Sequence, residues 1–253
     1  MNSIFSSYPK LEKDLSEVKN IILEQLDSPN KEMSSGLKEL ALSTGKLLRP
    51  AFLILCGRLG NFRKDKLYSL AAAVEMLHMA TLIHDDIVDD SPVRRGKPAL
   101  HVTQGKKNAV LMGDLLFSRC FRLSAQHAKI ETSRILSAAV ERICESEIAE
   151  VPEGIPSLRT YLRKTAGKTS VLFAVSCYAG AKESGCPQIL QDALRRAGYS
   201  IGMGFQIIDD ILDYTGDEKL LGKPVGNDLR EGIFTLPIIL AAKDKPKEIA
   251  SLA

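Results

Sequence analysis

Leu82-Ile83-His84-Asp85-Asp86-Ile87-Val88-Asp89-Asp90 closes a long apolar run with four carboxylates. In a helix, positions i and i+4 lie on one face about one turn apart. Asp85 and Asp89 therefore point the same way and can hold a hard divalent cation between them. The pattern returns in Gln206-Ile207-Ile208-Asp209-Asp210-Ile211-Leu212-Asp213. Two apolar helices that each carry Asp-Asp-x-x-Asp predict two acidic walls facing one cavity. A single acidic run is equally well explained as a solvated face or a cap. The pair is harder to explain that way, because repelling carboxylates in apolar surroundings need a compensating cation.

Outward from the first motif, Lys64 to Asp90 reads as one long helix, apolar on all sides (Leu67, Leu70, Ala71, Val74, Leu77, Leu82, Ile83) and so a buried central one. Ser91-Pro92 ends it. Upstream, Leu11, Leu15, Val18, Ile22 and Leu26 fall at helical spacing until Asp27-Ser28-Pro29-Asn30. A short helix with Leu37, Leu40 and Leu42 ends at Thr44-Gly45, and another run from near Pro50 reaches Gly60. Downstream, a polar loop (Val93 to Pro98) precedes helical runs over Lys107 to His127, Thr132 to Val151, Leu158 to Ser184 and Pro187 to Tyr214. A glycine-rich loop, Thr215 to Asn227, leads to a last apolar run, Thr235 to Ala242. No strand alternation is sustained. The prediction is all-α: one helical bundle over residues 1–253, packed around a central substrate cavity.

A chain of 253 residues, 45% hydrophobic and 26% charged, has the composition of an ordinary globular protein. A net charge of +3 gives no argument for nucleic acid or a membrane surface. The five cysteines are odd in number and scattered, with no Cys-x-x-Cys pair, which points to a reducing, cytoplasmic setting. No secretory leader is visible, and the most apolar stretch, Leu70 to Ile83, is interrupted by Glu75 and His78, so no transmembrane segment is expected.

Carboxylates bring magnesium, and magnesium takes its remaining ligands from water and phosphate oxygens. Diphosphate also wants direct cations, and Lys46, Arg49, Arg94, Arg95, Lys168 and Lys223 lie beside turns and acidic motifs. Any one of them alone reads as a solvated side chain. Arginine forks fit phosphate better than lysine does, which favours Arg49, Arg94 and Arg95.

At these residues the sequence resembles the trans-isoprenyl diphosphate synthases, the polyprenyl synthase family. The matching segments are Gly45-Lys46-Leu47-Leu48-Arg49-Pro50, His78 with Asp85-Asp86-x-x-Asp89, Arg94-Arg95-Gly96 and Gly113-Asp114. Further on come Lys168-Thr169, Gln206 with Asp209-Asp210-x-x-Asp213, Gly222-Lys223, Asp228 and Thr235-Leu236-Pro237. The resemblance implies that Asp85, Asp89 and Asp209 bind magnesium, a trio of ions, with Asp86, Asp210 and Asp213 in the same catalytic motifs. It implies that Arg94 and Lys168 hold an allylic diphosphate, with Thr169, Gln206 and Lys223 completing that pocket. Lys46, Arg49, His78 and Arg95 would hold isopentenyl diphosphate. Two departures remove positive charge: Thr44 and Leu47 stand where the family usually has Gly and Arg, and Glu231-Gly232-Ile233-Phe234-Thr235 lacks the usual lysine. Family members usually continue for several helices beyond Thr-Leu-Pro, so a domain without those helices is expected here.

Small residues at Ala80 and Thr81, one turn before Asp85, with Met76 and Leu77 as a floor below them, point to a long prenyl tail, about C30 or longer. Such a product suits a quinone side chain. The alternatives are a shorter, farnesyl or geranylgeranyl, product and an inactive or partner subunit of a heteromeric synthase. The implied partners are the two diphosphates, a second subunit in a homo- or heterodimer, and loose membrane association for product release. Glu75-x-x-His78 also matches half of a di-iron carboxylate motif, but no second Glu-x-x-His exists. A terpene cyclase, or a squalene or phytoene synthase, would have no use for the Lys46, Arg49 and His78 set.

Overall fold

The computed structural model describes residues 4–43, 45–94, 96–149, 154–216, 225–230, 232–245 and 249. The helices are α1 (Pro9–Gln25), α2 (Lys31–Ser43), α3 (Leu48–Gly57), α4 (Lys64–Val88), α5 (Leu100–Gln104), α6 (Lys106–His127) and α7 (Ile130–Ile148). After these come α8 (Leu158–Thr165), a π turn (Ala166–Ser170), α9 (Val171–Glu183), α10 (Gln188–Thr215), α11 (Asn227–Arg230) and α12 (Leu236–Asp244). The all-α prediction holds. The chain divides into two compact units, residues 1–136 with 175–195 and residues 137–174 with 196–253.

In the first unit α4 is the core element and packs against α6, α3 and α1. Leu67, Leu70, Val74, Met76, Leu77, Met79 and Ala80 on it are fully buried. Each large apolar side chain so removed from water contributes about 1.5–3 kcal/mol before entropy is counted. By length and composition α4 could cross a membrane, but 78% of its most apolar window is buried inside the protein, as in a core helix. Polar bonds tie its start to neighbouring helices. Tyr68 donates to Asp14 at 2.5 Å, and Arg58 also reaches that carboxylate. Glu183, at the end of α9, accepts from Lys66, from Thr132 and from the backbone N–H of Lys129. Burial pushes this carboxyl up, but those bonds outweigh burial and leave it below its ordinary value.

The polar loop after α4 holds a small strand pairing. Val93–Arg94 and Lys97–Pro98 pair as a two-residue antiparallel ladder, too short to leave an alternation in the sequence. The end of α4 is also sharper than expected. Ser91 N–H bonds to Asp86 C=O at 3.0 Å across Asp90, which sits at φ +50°. This is a Schellman-type stop with aspartate where glycine is usual.

In the second unit Ser157 caps α8 by accepting from Thr160 N–H at 3.1 Å, and α8 packs against α12. The single helix expected over Leu158 to Ser184 is broken at Ala166–Ser170 by the π turn. A π turn takes in more residues than an α turn and rotates the side chains that follow it. Phe173 and Phe205 meet beside it as a tilted pair, ring centroids 5.7 Å apart.

Candidate active site

The first acidic motif sits on the last turn of α4, where the helix dipole is already negative and added carboxylates are unfavourable. The protein compensates some of that charge itself. Arg94 Nε donates to Asp86 Oδ1 at 2.7 Å, and its Nη2 reaches the same oxygen. Lys106 pairs with Asp90 at 2.8 Å and holds that carboxyl below its usual range. Asp86 is buried, Asp85 is half-buried and Asp89 is exposed. The two carboxylates on one helical face therefore keep a route to solvent, and the one between them is tied inward.

The residue before the motif is fixed by α6. His84 Nε2 lies 3.1 Å from the carbonyl of Val110 and 3.6 Å from Asp114 Oδ1. A Cβ on Gly113 would come within 2.2 Å of that imidazole nitrogen. The Gly113-Asp114 segment thus has a local reason: no other residue leaves room for His84.

The second motif divides its carboxylates in the same manner. Asp209 is exposed, Asp210 and Asp213 are buried. Asp210 accepts from Tyr161 Oη at 2.5 Å and from Gln206 Nε2 at 2.9 Å. Gln206 Oε1 in turn accepts from Thr169 Oγ1 at 2.8 Å. A continuous chain of hydrogen bonds therefore runs from the π turn through Gln206 to Asp210 and Tyr161. Burial and the neighbouring carboxylate both push the Tyr161 phenol well above its usual value, so it stays a donor. Asp213 accepts the backbone N–H of Asp228 at 3.2 Å and so anchors the start of α11. Lys168, half-buried on the π turn, pairs with Glu147 of α7 at 3.3 Å.

Lys46 is exposed and Arg49 half-buried in the first turn of α3, which begins after Leu47 at φ +48°. A bulky residue in that left-handed region is strained. His78 is half-buried on α4, and Thr81 Oγ1 bonds back to its carbonyl at 2.8 Å. Met76, Leu77 and Ala80 are fully buried. A cavity of about 310 Å³ in the first unit is lined by Leu82, Ile83, Asp86 and Arg94 among others and does not touch Met76, Leu77, Ala80 or Thr81. Arg95 and Lys223, with Thr44 and Glu231, lie outside the described residues.

The donor chemistry fits a hard divalent cation, since both motifs offer carboxylate oxygens and Asp85, Asp89 and Asp209 reach solvent. Among the described residues, no three His, Cys, Asp or Glu side chains form a ready-made cage. Magnesium needs none, because it keeps waters and borrows phosphate oxygens. The sequence did not single out Tyr161 or Glu147. A tyrosine 49 residues from its aspartate leaves no spacing signal, and Glu147 reads as one more surface acid beside Glu145.

A model of the polyprenyl synthetase family matches residues 30–253. Heptaprenyl diphosphate synthase component 2 of Geobacillus stearothermophilus is 35% identical over 249 residues, which cover 97% of this chain and 78% of that protein. The crystal structure of geranylgeranyl pyrophosphate synthase from Lactobacillus brevis superposes with a TM-score of 0.90 at 37% identity, over 98% of this chain and 79% of that one. A polyprenyl synthase from Caulobacter crescentus, complexed with calcium and isoprenyl diphosphate, gives 0.89 at 37% identity, over 95% and 74%.

Proposed function

The chain belongs to the polyprenyl synthetase family and is a trans-prenyltransferase, and we propose that it uses magnesium to join an allylic prenyl diphosphate to isopentenyl diphosphate, extending the chain to about C30 or longer. The observation that carries this reading is the division of labour in both acidic motifs. Asp86, Asp210 and Asp213 are buried and bonded to the protein, whereas Asp85 is half-buried and Asp89 and Asp209 are exposed.

Bound magnesium would supply positive charge against the leaving diphosphate. Asp85, Asp89 and Asp209 would hold it. Arg94 and Lys168 would add direct donors to the allylic diphosphate, so that charge building on the leaving group is met by groups already in place. Gln206 and Thr169 are oriented by their mutual bond and by Asp210. Lys46, Arg49 and His78 would hold isopentenyl diphosphate with its double bond toward the allylic carbon. Ionisation of the C–O bond, attack by that double bond and loss of a proton to the released diphosphate complete the reaction without a dedicated side-chain base.

The small side chains of Ala80 and Thr81 support a long product, and so does the likeness to a heptaprenyl synthase component. A comparable likeness to a geranylgeranyl synthase supports the shorter-product reading. The name "component 2" supports a second subunit. All three are separated by incubating the purified protein with labelled isopentenyl diphosphate, farnesyl diphosphate and magnesium, alone and with a candidate second subunit. Products of about C30 or longer support the proposal; a C20 limit supports the shorter reading; no turnover in either mixture sinks both.

A further inference from the structure

Glu147 stands at the end of α7 and reaches the one cation that the π turn carries. Its Oε2 is 3.3 Å from Lys168 Nζ. Its Oε1 is shut away from solvent and has no hydrogen-bond partner among the described residues. Packing holds it in place. A Cβ on Gly167 would lie 2.5 Å from Ser146 Cβ and 2.8 Å from Ser146 Oγ, so α7 and the π turn approach as closely as two backbones with one missing side chain allow. Ser146 is itself locked by its bond to Ile143 C=O at 2.7 Å. The next residue on each side, Glu147 and Lys168, is therefore set opposite its partner by backbone geometry.

From this geometry we infer that Glu147 is a positioning residue that fixes the Lys168 ammonium for an incoming allylic diphosphate. The inference rests on the reading of Lys168 as a diphosphate ligand. A lysine stem has several freely rotating bonds, and ordering it at the moment of binding weakens the ligand's affinity. The bond to Glu147 orders the stem before the ligand arrives. Thr169, the next residue, is held from the opposite side by Gln206. The π turn is thus clamped between α7 and α10, with its cation aimed by the first and its hydroxyl by the second.

The test is a double-mutant cycle on the full chain, read as KM for each substrate and kcat separately. Lys168→Ala should raise KM for farnesyl diphosphate at least tenfold. Glu147→Ala should raise the same KM about fivefold, leave KM for isopentenyl diphosphate alone and change kcat by less than about threefold. Glu147→Gln, which keeps the length and an acceptor, should recover most of that loss. The double variant should be no worse than Lys168→Ala, because the first residue acts only through the second. Additive losses in the double variant, or an unchanged farnesyl KM in Glu147→Ala beside a raised one in Lys168→Ala, overturn the inference and leave the proposed function standing. An unchanged KM in Lys168→Ala instead overturns the role of Lys168 on which the inference depends. Circular dichroism melts of each variant separate these effects from loss of fold.

Discussion

Tyr161 holds Asp210 by a 2.5 Å hydrogen bond between two buried side chains 49 residues apart in sequence. That bond takes up one carboxylate of the second motif. A buried carboxylate accepting from Tyr161 and Gln206 is ordered and spent, and its neighbour Asp209 faces out. Tyr161→Phe should destabilise the protein by about 1.5–3 kcal/mol, the usual worth of a hydrogen bond to a charged group. It should also loosen Gln206 and Thr169 and lower kcat on the order of tenfold, equivalent to ~1.4 kcal/mol. Melting curves and steady-state rates on the same preparation check both. A variant with wild-type kcat would show that the hydrogen-bond chain is not part of the site.

Alkaline stability should report the same bond. Tyr161 and Tyr68 are both raised above the ordinary 10.0, by burial first and then by Asp210 and Asp14 respectively. The native state keeps their protons while the unfolded chain loses them above that pH. Their contribution is complete below pH 10 and is lost as pH rises toward the folded values, each tyrosine with a limiting slope of about 1.4 kcal/mol per pH unit. Denaturant titrations between neutral pH and the alkaline limb should show this fall, and a Tyr68→Phe/Tyr161→Phe double variant should flatten it. An unchanged limb would mean that neither phenol is perturbed.

The first motif should trade stability for function. Asp89 is exposed at the negative end of α4, so Asp89→Asn relieves repulsion and should raise Tm by about 1–3 °C. The same change should cut kcat by on the order of a hundredfold or more, the cost of losing a group that serves the developing charge. A melt and an activity assay on one sample decide the point, and equal activity with lower Tm would make Asp89 a structural residue.

Much of this was legible beforehand, and the failures have physical causes. The i, i+4 spacing gave both acidic helices, and the unbroken apolar character of α4 gave the core. What spacing could not give was which aspartates are consumed. Asp86 is taken by an arginine eight residues on, Asp210 by a distant tyrosine, Asp213 by the N–H of Asp228. Those are tertiary choices. The π turn also left no periodic trace, because only a local rotation marks it. Gly167 was its single visible sign, and a lone glycine in a helix has many readings.

Product length should follow the face of α4 below Asp85. Ala80 is fully buried and Thr81 half-buried, so Ala80→Phe also carries an overpacking cost of about 1–3 kcal/mol. Thr81→Phe is the better tolerated probe. Both should shift the chromatographic product profile sharply to shorter chains. A wild-type profile from a folded Thr81→Phe protein would mean that the growing tail runs elsewhere.

The most direct test is calorimetric binding of a non-reactive allylic thiodiphosphate, with and without magnesium, to wild type and to the Asp85→Asn and Asp209→Asn variants. Tight binding is expected only when magnesium and both acidic motifs are present, with each variant losing the magnesium-dependent part. Equal binding without magnesium, or undiminished magnesium-dependent binding in either variant, would contradict it.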